Sequence, residues 1–284
     1  MKLAVNFSQA LVTFIKRHTA ASIDFIKVPT SPLPDSLTQF DEGERYGRLL
    51  PHIAQPGVLS LGHIHEDLSF NEDMVLQLIK RTNPVYLSTH LDARVEYFPE
   101  FAELKQNDPS YVKRALNGRF LKRIRKVKEC IKIPLVLENA PYYSWGKFHR
   151  SGSEPEFIHE ICETGGCLFL LDIAHARCSA WHLQMDLYEY LNKLPLKLVK
   201  EIHLAGAMQR KDEGLRDTHT MLVDEDYDLL LYLLQKTDPA VVTLEYGGQP
   251  DRISNLKGGY DPVFRNIPEE LETMVLRIGS IIGG

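Results

Sequence analysis

LFLLDIAH, residues 168–175, closes an unbroken apolar run with Asp172 and delivers His175 three positions later. A short apolar run without polar alternation reads as a strand buried on both faces, the condition of a parallel sheet covered by helices. At the end of such a strand both side chains can point to one rim position. The arrangement recurs on either side: VYLSTH ends in His90, PLVLENA carries Glu138, VKEIHLAG carries His203 and VVTLEYG carries Glu245.

Eight candidate strands follow, at residues 3–7, 22–28, 58–65, 85–90, 134–140, 168–173, 199–206 and 240–247. Helical periodicity marks 71–81, 110–131, 183–194 and 225–236, with start signals at Asn71, at Ser153 before Pro155, and at Asp224. A last helix over 268–282 completes the alternation. Strand and helix in strict turn predict an α/β fold, one (β/α)8 TIM barrel spanning 1–284, with the metal cluster at the C-terminal rim of the strands. Irregular stretches are expected at 29–41, 92–109, 142–153, 207–220 and 247–266, most of them at the catalytic face.

The 284 residues suit one barrel, which typically takes about 250. A net charge of -5 and a pI near 6.1 leave no basic surplus for a polyanion, so nucleic acid is not the expected partner. The four cysteines show no C-x-x-C spacing and are too few for a disulfide framework, which points to a reducing cytoplasm. The N-terminal apolar stretch is interrupted by Asn6, Ser8 and Gln9, and no run approaches the roughly 20 residues of a membrane helix. A cytoplasmic protein without membrane association is the expectation.

Imidazoles and carboxylates together form the ligand set of a first-row divalent metal. The candidates are His90, Glu138, Asp172, His175, His203, Asp217, His219 and Glu245, with His63 or His65, or both, from the third strand. Asp217 and His219 are two apart, so an extended loop turns both the same way. Glu138, Asp172, Asp217 and Glu245 bring four negative charges that would repel one another without cations, which argues for two or three ions. Iron, manganese and zinc all fit mixed N/O ligation without cysteine. His18, His52, His149, His159 and His182 fall in helical or loop segments and are read as structural. The basic helix at 110–131 buries Leu116, Phe120, Ile124 and Val127 and turns its cations outward, as a solvated covering helix or a docking patch for an acidic partner. The loop PYYSWGKFHRSG with Tyr143, and Arg177 just past His175, are candidates for a substrate wall.

At these residues the chain resembles the multinuclear non-haem iron-dependent oxidative enzymes. The matching words are STH at His90, LEN at Glu138 and Asn139, LLDIAH, EIHLAG, DTH at Asp217 and His219, and LEYGG at Glu245. The resemblance implies a xylose isomerase-like barrel holding two or three iron ions, mixed-valent, bridged by Glu138, with Asn139 completing the shell or touching substrate. It implies oxidation of a peptide, at cysteine, with dioxygen, with Glu138, Asp172 and His203 as catalytic residues, and a separate protein that recognises the peptide's leader. The ligand order is also similar to endonuclease IV and to xylose-isomerase-type barrels, so a zinc or manganese hydrolase or isomerase is the alternative, and a non-catalytic metal-binding protein the second. The N-terminal third departs from the family pattern at IDFIKVPTSP and HIHEDLSF.

Overall fold

The computed structural model describes residues 1–18, 23–29, 41–98, 109–248 and 267–283. Its strands are β1 (Lys2–Asn6), β2 (Phe25–Pro29), β3 (Arg48–His52), β4 (Leu87–His90), β5 (Leu135–Glu138), β6 (Leu168–Asp172), β7 (Val199–Leu204), β8 (Gly206–Arg210), β9 (Gly214–Thr220) and β10 (Val241–Leu244). Strands β1 to β7 and β10 pair in parallel and close into a barrel in the order β1-β10-β7-β6-β5-β4-β3-β2, while β8 and β9 form an antiparallel hairpin. Around the barrel lie α1 (Gln9–Arg17), α2 (Glu72–Thr82), α3 (Pro109–Cys130), α4 (Pro155–Gly165), α5 (Ile173–Leu183), α6 (Leu187–Lys193), α7 (Asp224–Leu234) and α8 (Pro268–Gly283). The (β/α)8 barrel expectation is met.

The strand period of two sorts the side chains. Leu3, Val5, Ile26, Leu49, Leu137, Leu171, Leu204 and Leu244 join the helices in the main core. The alternate positions Ala4, Phe25, Leu50, Tyr86, Val136, Leu170 and Val241 form a second, smaller cluster inside the barrel. Burying one such Leu or Phe side chain contributes about 1.5–3 kcal/mol. Two residues on from these interior positions stand Lys27, His52, Ser88, Glu138, Asp172 and Thr243, all buried. The strands therefore carry an apolar plug near their start and polar groups toward their end.

Helix ends follow local chemistry. Ser8 accepts from Leu11 N at the start of α1, Asn71 from Met74 N at the start of α2, and Pro155 opens α4. Gly166 in the left-handed region closes α4. Several basic side chains of α3 engage neighbours: Lys113 pairs with Glu154 at 2.8 Å, Lys122 pairs with Glu66, and Lys128 donates to the carbonyls of Gly165 and Gly166 at 2.8 and 2.7 Å. Helix α3 is a covering helix.

Three expected elements are corrected. The third strand is Arg48–His52, not 58–65, which folds as turns with isolated bridges at Leu59. Pro51 argues against a strand in the sequence, but β3 meets β4 at one register pair, His52 and Ser88, where a missing N–H is tolerated. A helix not expected from sequence, α5, begins directly after Asp172 and ends at Leu183, where Gln184 is left-handed at φ 58°, so that of the expected 183–194 helix only Leu187–Lys193 continues, as α6. The stretch 207–220, expected as irregular loop, is mostly the β8–β9 hairpin. Of the expected loops at 29–41, 92–109 and 247–266, residues 30–40, 99–108 and 249–266 lie outside the described residues.

Candidate metal centre

Strand ends supply the first set of side chains. His52 ends β3, His90 β4, Glu138 β5 and Asp172 β6, while His203 is the penultimate residue of the VKEIHL strand β7 and Glu245 follows β10 directly. Parallel register places His90 beside Glu138 and Asp172 beside His203. His175 comes from the first turn of α5, and Asp217 and His219 from β9.

Four groupings result among the described residues, with the candidate ligand atoms in each lying within 4.8 Å of one another: three that share no residue, and a fourth, Glu138, Asp172 and His175, that takes one residue from each. In one, Glu138 Oε2 is 3.2 Å from His52 Nε2 and 3.1 Å from His90 Nε2. In the second, Asp217 Oδ2 is 3.4 Å from His175 Nε2 and 2.8 Å from His219 Nε2. In the third, His203 Nδ1 is 3.3 Å from Glu245 Oε1 and 3.8 Å from Asp172 Oδ2. Glu138 Oε1 lies 3.5 Å from the same His203 nitrogen, so the two oxygens of one carboxylate face two groupings. That is the disposition of a bridging ligand.

Backbone devices hold these groups. Asp172 caps α5 with Oδ1, accepting from His175 N at 2.7 Å, which leaves Oδ2 directed at the centre. His219 sits at φ 48°, a costly left-handed conformation for a non-glycine residue, and Asp217 Oδ1 accepts from its N–H at 3.2 Å. At Gly206 a Cβ would lie 2.5 Å from the Thr220 carbonyl oxygen, so only glycine lets β9 fold back this closely over the rim. His175 Nδ1 is 2.8 Å from the Asn139 carbonyl, which turns Nε2 toward Asp217.

The electrostatics call for cations. Burial disfavours charged imidazole, yet His175, His203 and His219 are each raised to about 10, chiefly by Asp172, Glu245 and Asp217 respectively. Asp172 is raised to about 6, by burial first. Burial also pushes Glu138 up, but His90, His52 and His203 together hold it well below the usual carboxylate range. Without metal, protons on imidazole partly balance the carboxylates. Glu138 Oε2, Asp172 Oδ2 and His203 Nδ1 are buried and make no hydrogen bond. Such atoms cost about 1–3 kcal/mol each unless something else compensates them. Nitrogen and oxygen donors converging in this way fit divalent ions.

The residues expected from sequence divide clearly. His90, Glu138, Asp172, His175, His203, Asp217, His219 and Glu245 converge, whereas His63 and His65 belong to none of the groupings. His63 instead packs on Tyr97, ring centroids 4.6 Å apart. The end of the third strand carries His52, a histidine expected to be structural, because β3 is Arg48–His52 and not 58–65. Asn139 is engaged by the backbone of Asp172: its Oδ1 accepts from Asp172 N at 2.9 Å and its Nδ2 donates to Asp172 O at 3.0 Å. Arg177 lies on α5 with its guanidinium on Asp226 and Glu225 of α7, so it ties two helices together and leaves no arm for a ligand. Tyr143 accepts from Asp217 N at 3.2 Å and stacks on Trp145, ring centroids 5.1 Å apart. Its loop lines a cavity of about 710 Å³ with Val95, Val112, Tyr142, Phe148 and His149.

Residues 11–262 match the family model described as RiPP precursor modification enzyme MbnB/TglH/ChrH. Among curated relatives, a UPF0276 protein of Bordetella pertussis is 35% identical over 191 residues, 63% of this chain and 63% of that protein. One from Psychromonas ingrahamii is 28% identical over 197 residues, 66% of each chain. The matches to the first Bordetella relatives thus span less than two thirds of those proteins' length, from 60% to 65%. Among solved structures, a xylose isomerase domain containing protein of Salmonella typhimurium aligns at TM-score 0.62 and 13% identity, covering 100% of this chain and 97% of that one. Endonuclease IV of Thermus thermophilus aligns at TM-score 0.51 and 16% identity over 98% of this chain and 97% of that one. At such identities these two structures speak for the fold alone.

Proposed function

Since the chain belongs to the MbnB/TglH/ChrH family of RiPP precursor modification enzymes, we propose that it is an iron-dependent enzyme that oxidises a ribosomally made peptide at cysteine with dioxygen. The observation that carries this reading is the double exposure of Glu138, with one oxygen toward His52 and His90 and the other toward His203. A carboxylate shared in this way suits adjacent cations. His52, His90 and Glu138 would hold one ion, Asp172, His203, Glu245 and the second Glu138 oxygen another, and His175, Asp217 and His219 a third. Bound iron would supply the one-electron chemistry that an oxidation by dioxygen requires and that zinc lacks.

The chain's own contribution is charge, shape and access. Four carboxylates fix where positive charge accumulates, and that charge would attract a substrate thiolate. Tyr143 holds the β9 backbone and, with its loop, borders a cavity of about 710 Å³, within the usual range of ligand sites. A peptide segment there would lie beside the His175–Asp217–His219 group. Recognition of the peptide's leader is assigned to a separate protein. The described cysteines, Cys130, Cys162, Cys167 and Cys178, are all free, which fits a reducing cytoplasm. Among the described residues no helix is long and apolar enough to cross a membrane.

The test is to supply ferrous iron, dioxygen and cysteine-containing precursor peptides encoded beside the gene, and to follow peptide mass. A mass change that needs iron and oxygen is expected. Cleavage of abasic DNA by the zinc-loaded protein, with no change in any peptide, would replace this reading with a hydrolytic one.

A further inference from the structure

Beneath the rim lies a polar layer that supplies none of the proposed ligands. Lys27 is only 1% exposed, and its Nζ donates to Glu201 Oε1 at 2.7 Å and to Ser88 Oγ at 3.2 Å. Glu201 is fully buried and also accepts from Thr243 Oγ1 at 2.6 Å and from Tyr86 OH at 2.9 Å. His203 Nε2 stands 3.0 Å from the same Glu201 Oε1, and His52 Nδ1 stands 3.0 Å from Ser88 Oγ. One string of hydrogen bonds, His203–Glu201–Lys27–Ser88–His52, therefore passes under the centre and joins imidazoles of two separate groupings.

The donor inventory fixes the sense of each bond. An ammonium only donates and an ionised carboxylate only accepts. Once a cation takes the place of the proton on Nδ1, His203 keeps its Nε2 proton, facing Glu201, and presents the Nδ1 lone pair to the centre between Glu245 and Asp172. Ser88 Oγ accepts from Lys27 and has a second lone pair for a proton on His52 Nδ1, while its own hydroxyl is directed at the Pro51 carbonyl at 3.5 Å. His52 then presents the Nε2 lone pair toward Glu138. With metal bound, each imidazole would aim its unprotonated nitrogen at the centre because its other nitrogen is engaged below.

We propose that Glu201 and Lys27 are positioning residues of the metal centre: Glu201 sets the tautomer of His203 directly, and Lys27 sets that of His52 through Ser88. The inference rests on the reading of the rim as a metal centre. The pairing of the two charges also explains how a fifth carboxylate is accommodated beneath four others. A buried ion pair that merely stapled β2 to β7 across the barrel would show the same burial, but would have no reason to end on two imidazoles.

Cobalt(II) separates the two accounts, because its absorption spectrum reports ligand geometry independently of turnover. Competition titrations with Co²⁺ are made on wild type, Glu201→Ala, Glu201→Gln and the double variant Lys27→Met/Glu201→Gln, with thermal denaturation of each metal-free protein. Glu201→Ala should weaken one Co²⁺ equivalent about 10–100-fold, the usual cost of losing such a supporting partner. Glu201→Gln keeps an acceptor oxygen for His203 and should recover most of that loss, with a shifted spectrum. In the double variant both charges are gone and the Ser88 contact is lost, so the Co²⁺ spectrum should change even though His203 keeps its acceptor. Folded variants with wild-type Co²⁺ affinity and spectrum would overturn the inference; if Glu201→Ala fails to fold, the double variant decides on the same criterion. A wild type that takes up no Co²⁺ would instead sink the metal-centre reading itself.

Discussion

Asn139→Ala separates scaffold from substrate contact at a residue next to the bridging carboxylate. The Asn139 amide is fully buried and bonds both the N–H and the C=O of Asp172, at 2.9 and 3.0 Å. Alanine leaves both backbone groups buried and unsatisfied, at about 1–3 kcal/mol each, and partial entry of water offsets some of this. We expect a loss of about 3 kcal/mol in the metal-free protein. For a chain of this size that lowers Tm by about 6–12 °C. Metal affinity should fall as well, about 10–100-fold, because Asp172 and the Asn139 carbonyl that orients His175 are both loosened. Asn139→Asp should not rescue, since a carboxylate cannot donate to the Asp172 carbonyl. The assay is urea denaturation of metal-free wild type and variants, paired with metal titration. Unchanged metal-free stability together with lost peptide turnover would refute the reasoning and return Asn139 to the substrate surface.

Arg177→Ala leaves Asp226 buried without its cation, and breaking such a pair typically costs about 3–5 kcal/mol; thermal denaturation should show the loss while metal per chain stays at the wild-type level, and a stable variant defective in peptide binding would contradict this. His52→Ala should lose metal where His63→Ala keeps it, as elemental analysis of the two purified proteins would show. The imidazoles raised to about 10 give the metal-free protein a pH dependence of definite sign. A folded-state value above the unfolded 6.5 contributes stability that is fully present below about pH 6.5 and is lost as pH rises through about 10. Metal-free protein should therefore unfold at lower urea at pH 10 than at pH 7, whereas metal affinity should rise over the same interval as protons cease to compete; equal urea midpoints at the two pH values would show that the imidazoles are not so coupled.

The fold is legible because seven of the eight barrel strands lie in apolar runs, and five of them, β4, β5, β6, β7 and β10, carry a functional side chain at or near the end. β3 is not: RLLPH is short, begins with Arg and contains Pro, and the apolar VLSLGHIH just downstream imitates a strand while folding as turns. That one displacement carried the third-strand histidine from His52 to His63 and His65. The roles of Asn139 and Arg177 were hidden for a different reason. Both lie beside ligands in the chain, and proximity in sequence does not reveal that an amide closes on a neighbouring backbone or that a guanidinium turns outward to α7. Lys27 and Glu201 read as ordinary strand residues, Lys27 even as a break in an apolar run; only barrel closure brings β2 and β7 close enough for the two to pair. The 207–220 hairpin offers Gly206 and Gly214 as signals, which in retrospect mark a close approach and a turn.

Metal content of the protein as isolated tests the central claim most directly. Protein made in iron-supplemented medium and purified without chelator should contain about two or three ions per chain, the number that offsets four clustered carboxylates. Glu138→Ala should lose at least one of them, while His182→Ala, at a histidine outside the groupings, should lose none. Less than one ion per chain in the wild type, or full occupancy in Glu138→Ala, would contradict the account.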